Sequence, residues 1–197
     1  MKAGILFSAV VCSVVCFSSQ AKGTDYLINF NAGELPSPKL LEDADMTTSD
    51  KYICKTELTT ENAPKGKKLL KTTLTKNKSK WGVLRPKKAD WSAFDYLKFK
   101  VYNPQEYMVK VGFAVREQGR GYGPEGSGPD QDYTSRWDSS VTIKPGWNDC
   151  EIDLTMAATN GAKETFDTKK ILEWYFAGTG SNDEDNYLFF GDFEFSK

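Results

Sequence analysis

Strict alternation of apolar and polar residues constrains this chain more than any other feature. Within 96–102, Leu97, Phe99 and Val101 alternate with Lys98 and Lys100. Within 108–117, Val109, Val111, Phe113 and Val115 share one parity and Lys110, Gly112, Ala114 and Arg116 the other. The pattern continues over 136–143, with Trp137, Val141 and Ile143 set against Arg136, Asp138, Ser140 and Thr142, and Cys150, Ile152 and Leu154 then alternate with Asp149, Glu151 and Asp153. A period of two sends successive side chains to opposite faces of an extended strand, so each segment reads as a half-buried strand. Further strands are expected over 26–30, 52–59, 69–75, 81–85 and 186–195, and only 168–173 reads as helix. Many short strands punctuated by turn residues predict an all-β fold, an antiparallel β-sandwich or jelly roll.

The start of the chain sets the expected compartment. Met1-Lys2, the apolar run Ile5 to Phe17 and the small residues around Ser19-Gln20-Ala21 form a secretory signal peptide over 1–21, too short an apolar run to span a bilayer. Export to the extracellular space or periplasm is therefore expected, with 22–197 as a single β-sandwich domain. No later apolar run is long enough for a membrane span. A net charge of -1 supplies no basic field for a phosphate backbone, so nucleic acid is not an expected partner. The lysines between Lys65 and Lys80 read as a solvated strand face and turn.

The chain contains no histidine. That removes the ordinary serine-histidine and cysteine-histidine nucleophile pairs and the usual zinc ligand sets. Outside the signal peptide the cysteines are Cys54 and Cys150, which in an oxidising compartment form a disulfide or else remain as two buried thiols. An enzyme built on this chain would have to rely on carboxylates, as a small jelly-roll glycoside hydrolase or polysaccharide lyase does, with Glu117 and either Asp138 or Glu151 as the pair to test. The formal dinucleotide match over 121–126 is disqualified by Pro124, which cannot open the required helix. The acidic run 182–186 lacks the glycine and terminal glutamate of a calcium-binding loop and reads as a turn.

Four segments in order carry a family resemblance: Trp91 to Asn103, Tyr133-Thr134-Ser135-Arg136-Trp137, Lys144-Pro145-Gly146-Trp147-Asn148, and 166–176 followed by 188–195. Together they resemble the galactose-binding-domain-like jelly rolls that serve as carbohydrate-binding modules in secreted polysaccharide-degrading systems. The resemblance implies a non-catalytic protein whose partner is a polysaccharide or glycan. It also implies a structural calcium between first and last strands, for which Asn29, Asn31, Glu34 and Asp192 offer oxygens.

Sugar recognition requires aromatic faces and planar polar groups. The best place for them is the outward face beneath the long Gly/Pro-rich loop 118–134, above the small residues Gly112 and Ala114. Arg136, Tyr133, Tyr122, Glu117 and Arg116 are the candidate carbohydrate-binding residues there, and Trp81 with Arg85 forms a second aromatic and basic pair. Trp91, Trp137, Trp147 and Trp174 are expected in the core.

Overall fold

A computed structural model describes residues 24–41, 48–75, 78–118, 135–160, 164–178 and 186–197. Among the described residues there are twelve strands and no helix. They are β1 (Tyr26–Ile28), β2 (Leu40–Leu41), β3 (Thr48–Ser49), β4 (Lys55–Thr59), β5 (Leu69–Leu74), β6 (Lys80–Leu84), β7 (Tyr96–Asn103), β8 (Val109–Glu117), β9 (Arg136–Ile143), β10 (Gly146–Asp153), β11 (Ile171–Gly178) and β12 (Asn186–Ser196). A large sheet runs β10-β7-β12-β5-β4 with β1 added to β12, a small sheet runs β6-β11-β8-β9, and β2 with β3 form a separate pair. The named strand pairings are antiparallel. No helix among the described residues is long and apolar enough to cross a membrane.

The alternation read from the sequence is what lets the two sheets face each other. Leu97, Phe99 and Val101 from β7 and Val109, Val111, Phe113 and Val115 from β8 all enter one continuous core. Aromatic residues fill its centre. Trp81 contacts Trp174 at 5.8 Å, Phe176 at 5.2 Å, Phe190 at 4.8 Å and Phe193 at 5.8 Å between ring centroids. Such pairs add about 0.5–1.5 kcal/mol each beyond the burial of their area.

Several expectations need correction. Residues 168–173 are not helical: a turn leads into β11, because Trp174 and Phe176 take the inward parity of a strand. Trp91, Trp137 and Trp174 are core residues, but Trp147 is 46% exposed. In β10 the inward parity belongs to Ile152, and Trp147 shares its face with Asp149 and Glu151. Trp81, expected at a binding surface, is 1% exposed and lies at the middle of the core.

The Cys54–Cys150 disulfide is not formed; both residues are free thiols. Cys54 directly precedes β4 and Cys150 lies in β10, the two opposite edges of the five-strand path through the large sheet. Four strand spacings separate those edges, about 19 Å at ~4.8 Å each, whereas a disulfide needs Cα atoms within about 7 Å. Burial raises both thiol pKa values, to about 12 for Cys54 and, with help from the Asp149 carboxylate, to about 11 for Cys150.

Candidate functional site

The outer face of the small sheet holds the sequence candidates that face outward. Strand register sets them in rows. Arg136 of β9, Arg116 of β8, Glu173 of β11 and Leu84 of β6 are successive cross-strand partners, and the next row is Asp138, Ala114, Tyr175 and Gly82. Two guanidiniums are thus immediate neighbours, a repulsive arrangement unless carboxylates intervene. Arg116 pairs with Glu173 at 3.5 Å, and Arg136 Nε donates to Asp138 Oδ1 at 2.7 Å. Both guanidiniums lie over the Tyr175 ring, at 5.9 and 5.7 Å from its centroid, and Lys80 Nζ lies 5.0 Å from the same ring. Cations are drawn to a ring face by its quadrupole, so Tyr175 helps hold all three in place.

Much of this cluster is roofed. The described residues between β1 and β4 run along the β6 edge and reach over the outer face as a strap: Ser37 donates its N–H to Gly82 O at 2.8 Å and Cys54 N–H to Lys80 O at 2.9 Å along the edge, and Leu41 N–H donates to Glu173 Oε1 at 2.6 Å over the face. Leu40 packs with Ala114 and Tyr175. Arg116, Glu173 and Tyr175 are consequently buried, while Arg136 keeps 16% of its side chain exposed and Asp138 39%. Burial moves the Glu173 carboxyl and the Tyr175 phenol to higher pKa, and it lowers that of Lys80, with Arg136 repulsion adding to the effect. The Tyr175 hydroxyl is buried without a hydrogen-bond partner among the described residues.

The open part lies towards β9. Asp138, Ser140 and Thr142 are exposed there, and Gly112 forms the floor between them and Ala177. A Cβ at Gly112 would meet, within 4 Å among the described residues, only two backbone carbonyl oxygens, at 3.6 and 3.9 Å, both ordinary contacts.

The remaining candidates fall elsewhere. Tyr122 and Tyr133 lie outside the described residues. Glu117 shares the inward parity of Val115, is 1% exposed, and accepts the Asp167 N–H through Oε2. Arg85 is exposed just past β6 with a φ of 56°, while Trp81 points into the core, so the two do not form a common site. Glu173 falls in the range expected as helix and Tyr175 just beyond it, so neither is a sequence candidate; strand parity from Trp174 and Phe176 places both outward.

Asn29, Asn31, Glu34 and Asp192 do come together, at the turn after β1. Asp192 Oδ1 accepts Phe30 N–H at 2.7 Å and Asn31 N–H at 3.3 Å, and Oδ2 accepts the Asn31 side-chain amide. Glu34 Oε2 accepts Asn29 N–H at 2.8 Å and Oε1 accepts Lys87 Nζ at 3.0 Å, and Asn31 Oδ1 accepts Lys68 N–H at 2.8 Å. Each carboxylate oxygen of the set faces an N–H donor. As folded, the set is a hydrogen-bonded clamp on 29–34 and does not fit a cation, which needs converging lone pairs in place of protons.

No protein-family model matches the sequence, and no curated protein matches it. The fold does match solved structures, among them the antiparallel β-sandwiches of carbohydrate-binding modules. The family 11 carbohydrate-binding module of the cellulosomal cellulase Lic26A-Cel5E from Clostridium thermocellum superposes with a TM-score of 0.55 at 16% identity, covering 88% of this chain and 94% of that one. A family 11 module from the same organism, in complex with a β-1,3-1,4-mixed-linked tetrasaccharide, gives 0.52 at 14% identity over 83% and 96% of the two chains. An agarase gives 0.54 at 14% identity, covering 89% of this chain but only 25% of the agarase.

Proposed function

We propose that this chain is a secreted, non-catalytic carbohydrate-binding domain that recognises a polysaccharide on the outer face of its small sheet. One observation carries the reading: Arg136, fixed by Asp138 and the Tyr175 ring, keeps part of its side chain open at the β9 rim of this face, in line with the exposed Asp138, Ser140 and Thr142. Paired guanidinium and carboxylate groups held rigid by their neighbours give matched donors and acceptors for sugar hydroxyls at little ordering cost. The inner Arg116, Glu173 and Tyr175 position Arg136, and contact with ligand falls to the rim.

A glycosidase requires two carboxyl groups facing across a cleft, about 5 Å apart in retaining enzymes. The carboxylates considered for that role occupy separate places: Glu117 in the interior, Asp138 on the outer face of the small sheet and Glu151 on that of the large sheet. This favours binding over hydrolysis.

The test is retention of the protein on immobilised mixed-linked β-1,3-1,4 glucan, agarose and xylan, with release of reducing sugar followed in parallel. Retention without release is expected. Arg136→Ala should weaken it by about 10- to 100-fold, the loss of a hydrogen bond to a charged group. Gly112→Tyr should weaken it by setting a ring on the same face beside Ser140. Retention untouched by both variants would show the site to be elsewhere, and sugar release would refute the non-catalytic reading.

A further inference from the structure

The opposite side of the sandwich carries a groove of about 680 Å³ on the outer face of the large sheet. Register builds it, as it builds the rows on the small sheet. Trp147 of β10, Tyr102 of β7 and Phe189 of β12 form one transverse row, Asp149 and Lys100 the next, and Glu151, Lys98 and Glu194 a third. Between the first and third rows β12 bulges, setting Gly191 and Asp192 against the single Lys100. A Cβ at Gly191 would approach nothing closer than 3.5 Å, so the glycine leaves the floor low where a side chain would otherwise stand.

The aromatic end is accessible at Trp147. Trp147 is 46% exposed and rests against Tyr102 at 5.4 Å between ring centroids, whereas Trp81, Trp91, Trp137 and Trp174 are 7% exposed or less. Of the five tryptophans in the chain, Trp147 alone offers a ring face to solvent. The rest of the groove is charged but balanced: four lysines and four carboxylates line it. Lys100 pairs with Asp149, and Lys98 with Glu151 at 3.2 Å. A formally charged ligand would meet repulsion from one member of each pair and attraction from the other, with no net field to draw it in. A hydroxyl-rich neutral ligand can donate to the carboxylates and accept from the ammonium groups at once.

We propose that this groove is a second glycan-binding site, taking an uncharged saccharide whose apolar ring face stacks on Trp147 while its hydroxyls bond to the paired charges beyond Tyr102. The inference rests on the carbohydrate-binding reading above but uses none of the residues of the first site. Two sites on opposite faces let one molecule hold two polysaccharide chains, or two stretches of one chain, with the gain in avidity that follows from linkage.

Tryptophan fluorescence gives a readout specific to the groove, because the four other indoles are buried. Acrylamide quenching is measured with and without oligosaccharides of mixed-linked β-1,3-1,4 glucan, agarose and xylan, in the unmodified protein, Arg136→Ala and Trp147→Ala, with ligand stoichiometry from calorimetry. A saccharide is expected to shield Trp147 in both the unmodified protein and Arg136→Ala. Trp147→Ala should abolish the quenchable component and lower the stoichiometry from two ligands to one, weakening the lost site by about tenfold or more. Binding that leaves quenching unchanged, shielding that disappears in Arg136→Ala, or unaltered stoichiometry in Trp147→Ala would overturn the second site while leaving the first intact. Binding lost completely in Trp147→Ala and retained in Arg136→Ala would make the groove the single site and overturn the two-site arrangement. Failure of all three saccharides to bind would overturn the carbohydrate reading and this inference together.

Discussion

Gly82 offers the sharpest test of how the small sheet holds its outer face. It stands opposite Tyr175 in the β6–β11 pairing, and its carbonyl receives the Ser37 N–H that pins the strap. A Cβ placed there would lie 2.1 Å from Trp174 O and 2.5 Å from Tyr175 Cα, both backbone atoms that cannot rotate away. Ordinary contact starts near 3.4 Å, so Gly82→Ala must part the two strands by about 1.3 Å (3.4 − 2.1). That displacement stretches N–H···O bonds of about 2.9 Å past the useful range. Losing two of them at about 1 kcal/mol each, with about 1–3 kcal/mol of overpacking, gives a destabilisation of about 3–5 kcal/mol. The usual effect of Gly→Ala is a gain of about 0.4–1 kcal/mol where the backbone tolerates it, so the sign itself is diagnostic. At about 2–4 °C per kcal/mol for a domain of this size, Tm should fall by at least about 6 °C. Gly112→Ala is the control, since its Cβ meets only ordinary contacts, and it should stay within about 0.5 kcal/mol. Guanidinium denaturation of both variants measures the difference. A Gly82→Ala protein within about 1 kcal/mol of the parent would refute the close approach of β6 and β11.

The clamp on 29–34 predicts that Asp192→Ala costs about 2–3 kcal/mol, because the Phe30 and Asn31 N–H groups lose a charged acceptor. Calcium or a chelator should move Tm by less than about 1 °C, and a calcium-dependent rise of several degrees would show that a cation displaces these hydrogen bonds. The thiols of Cys54 and Cys150 should resist a disulfide-exchange reagent at pH 8 until the protein unfolds, and reductant should leave Tm unchanged. Their folded pKa values, about 12 and about 11, lie above the unfolded value of 9.0, so the folded state holds more protons in between. Their contribution to stability is complete below pH 9.0 and declines as pH rises towards about 11 and 12, which denaturation midpoints between pH 8 and 11 would reveal.

The sandwich was legible because alternation is a local signal with a global meaning. Leu97, Phe99 and Val101 face the core in the structure as their spacing requires, and the boundaries of β9 agree with those read from the sequence. Errors arose where residue type was allowed to outweigh parity. Trp147 is expected in the core as the residue entering a strand after the Pro145-Gly146 turn, although Cys150, Ile152 and Leu154 fix the inward parity of that strand and put Trp147 with Asp149 and Glu151. Glu117 was assigned to the surface for being charged, although it continues the series from Val109 to Val115. Trp81 was taken as a ligand platform, and instead five aromatic neighbours close around it.

What the sequence could not reveal is a matter of distance along the chain. The meeting of Arg116, Arg136 and Glu173 depends on the order β11-β8-β9, and β8 and β11 are brought together from segments more than 50 residues apart. The strap over that face is fixed by single bonds such as Leu41 N–H to Glu173 Oε1, which span 132 residues and leave no periodic trace. The groove depends on a bulge in β12 lying beside two β7–β10 charge pairs, so it exists only once three strands are in register. Parity assigns each side chain to a face, and topology alone decides which side chains share it. A reading of function from such a sequence should therefore trust the face of every residue before its chemistry, and let strand order choose the neighbours.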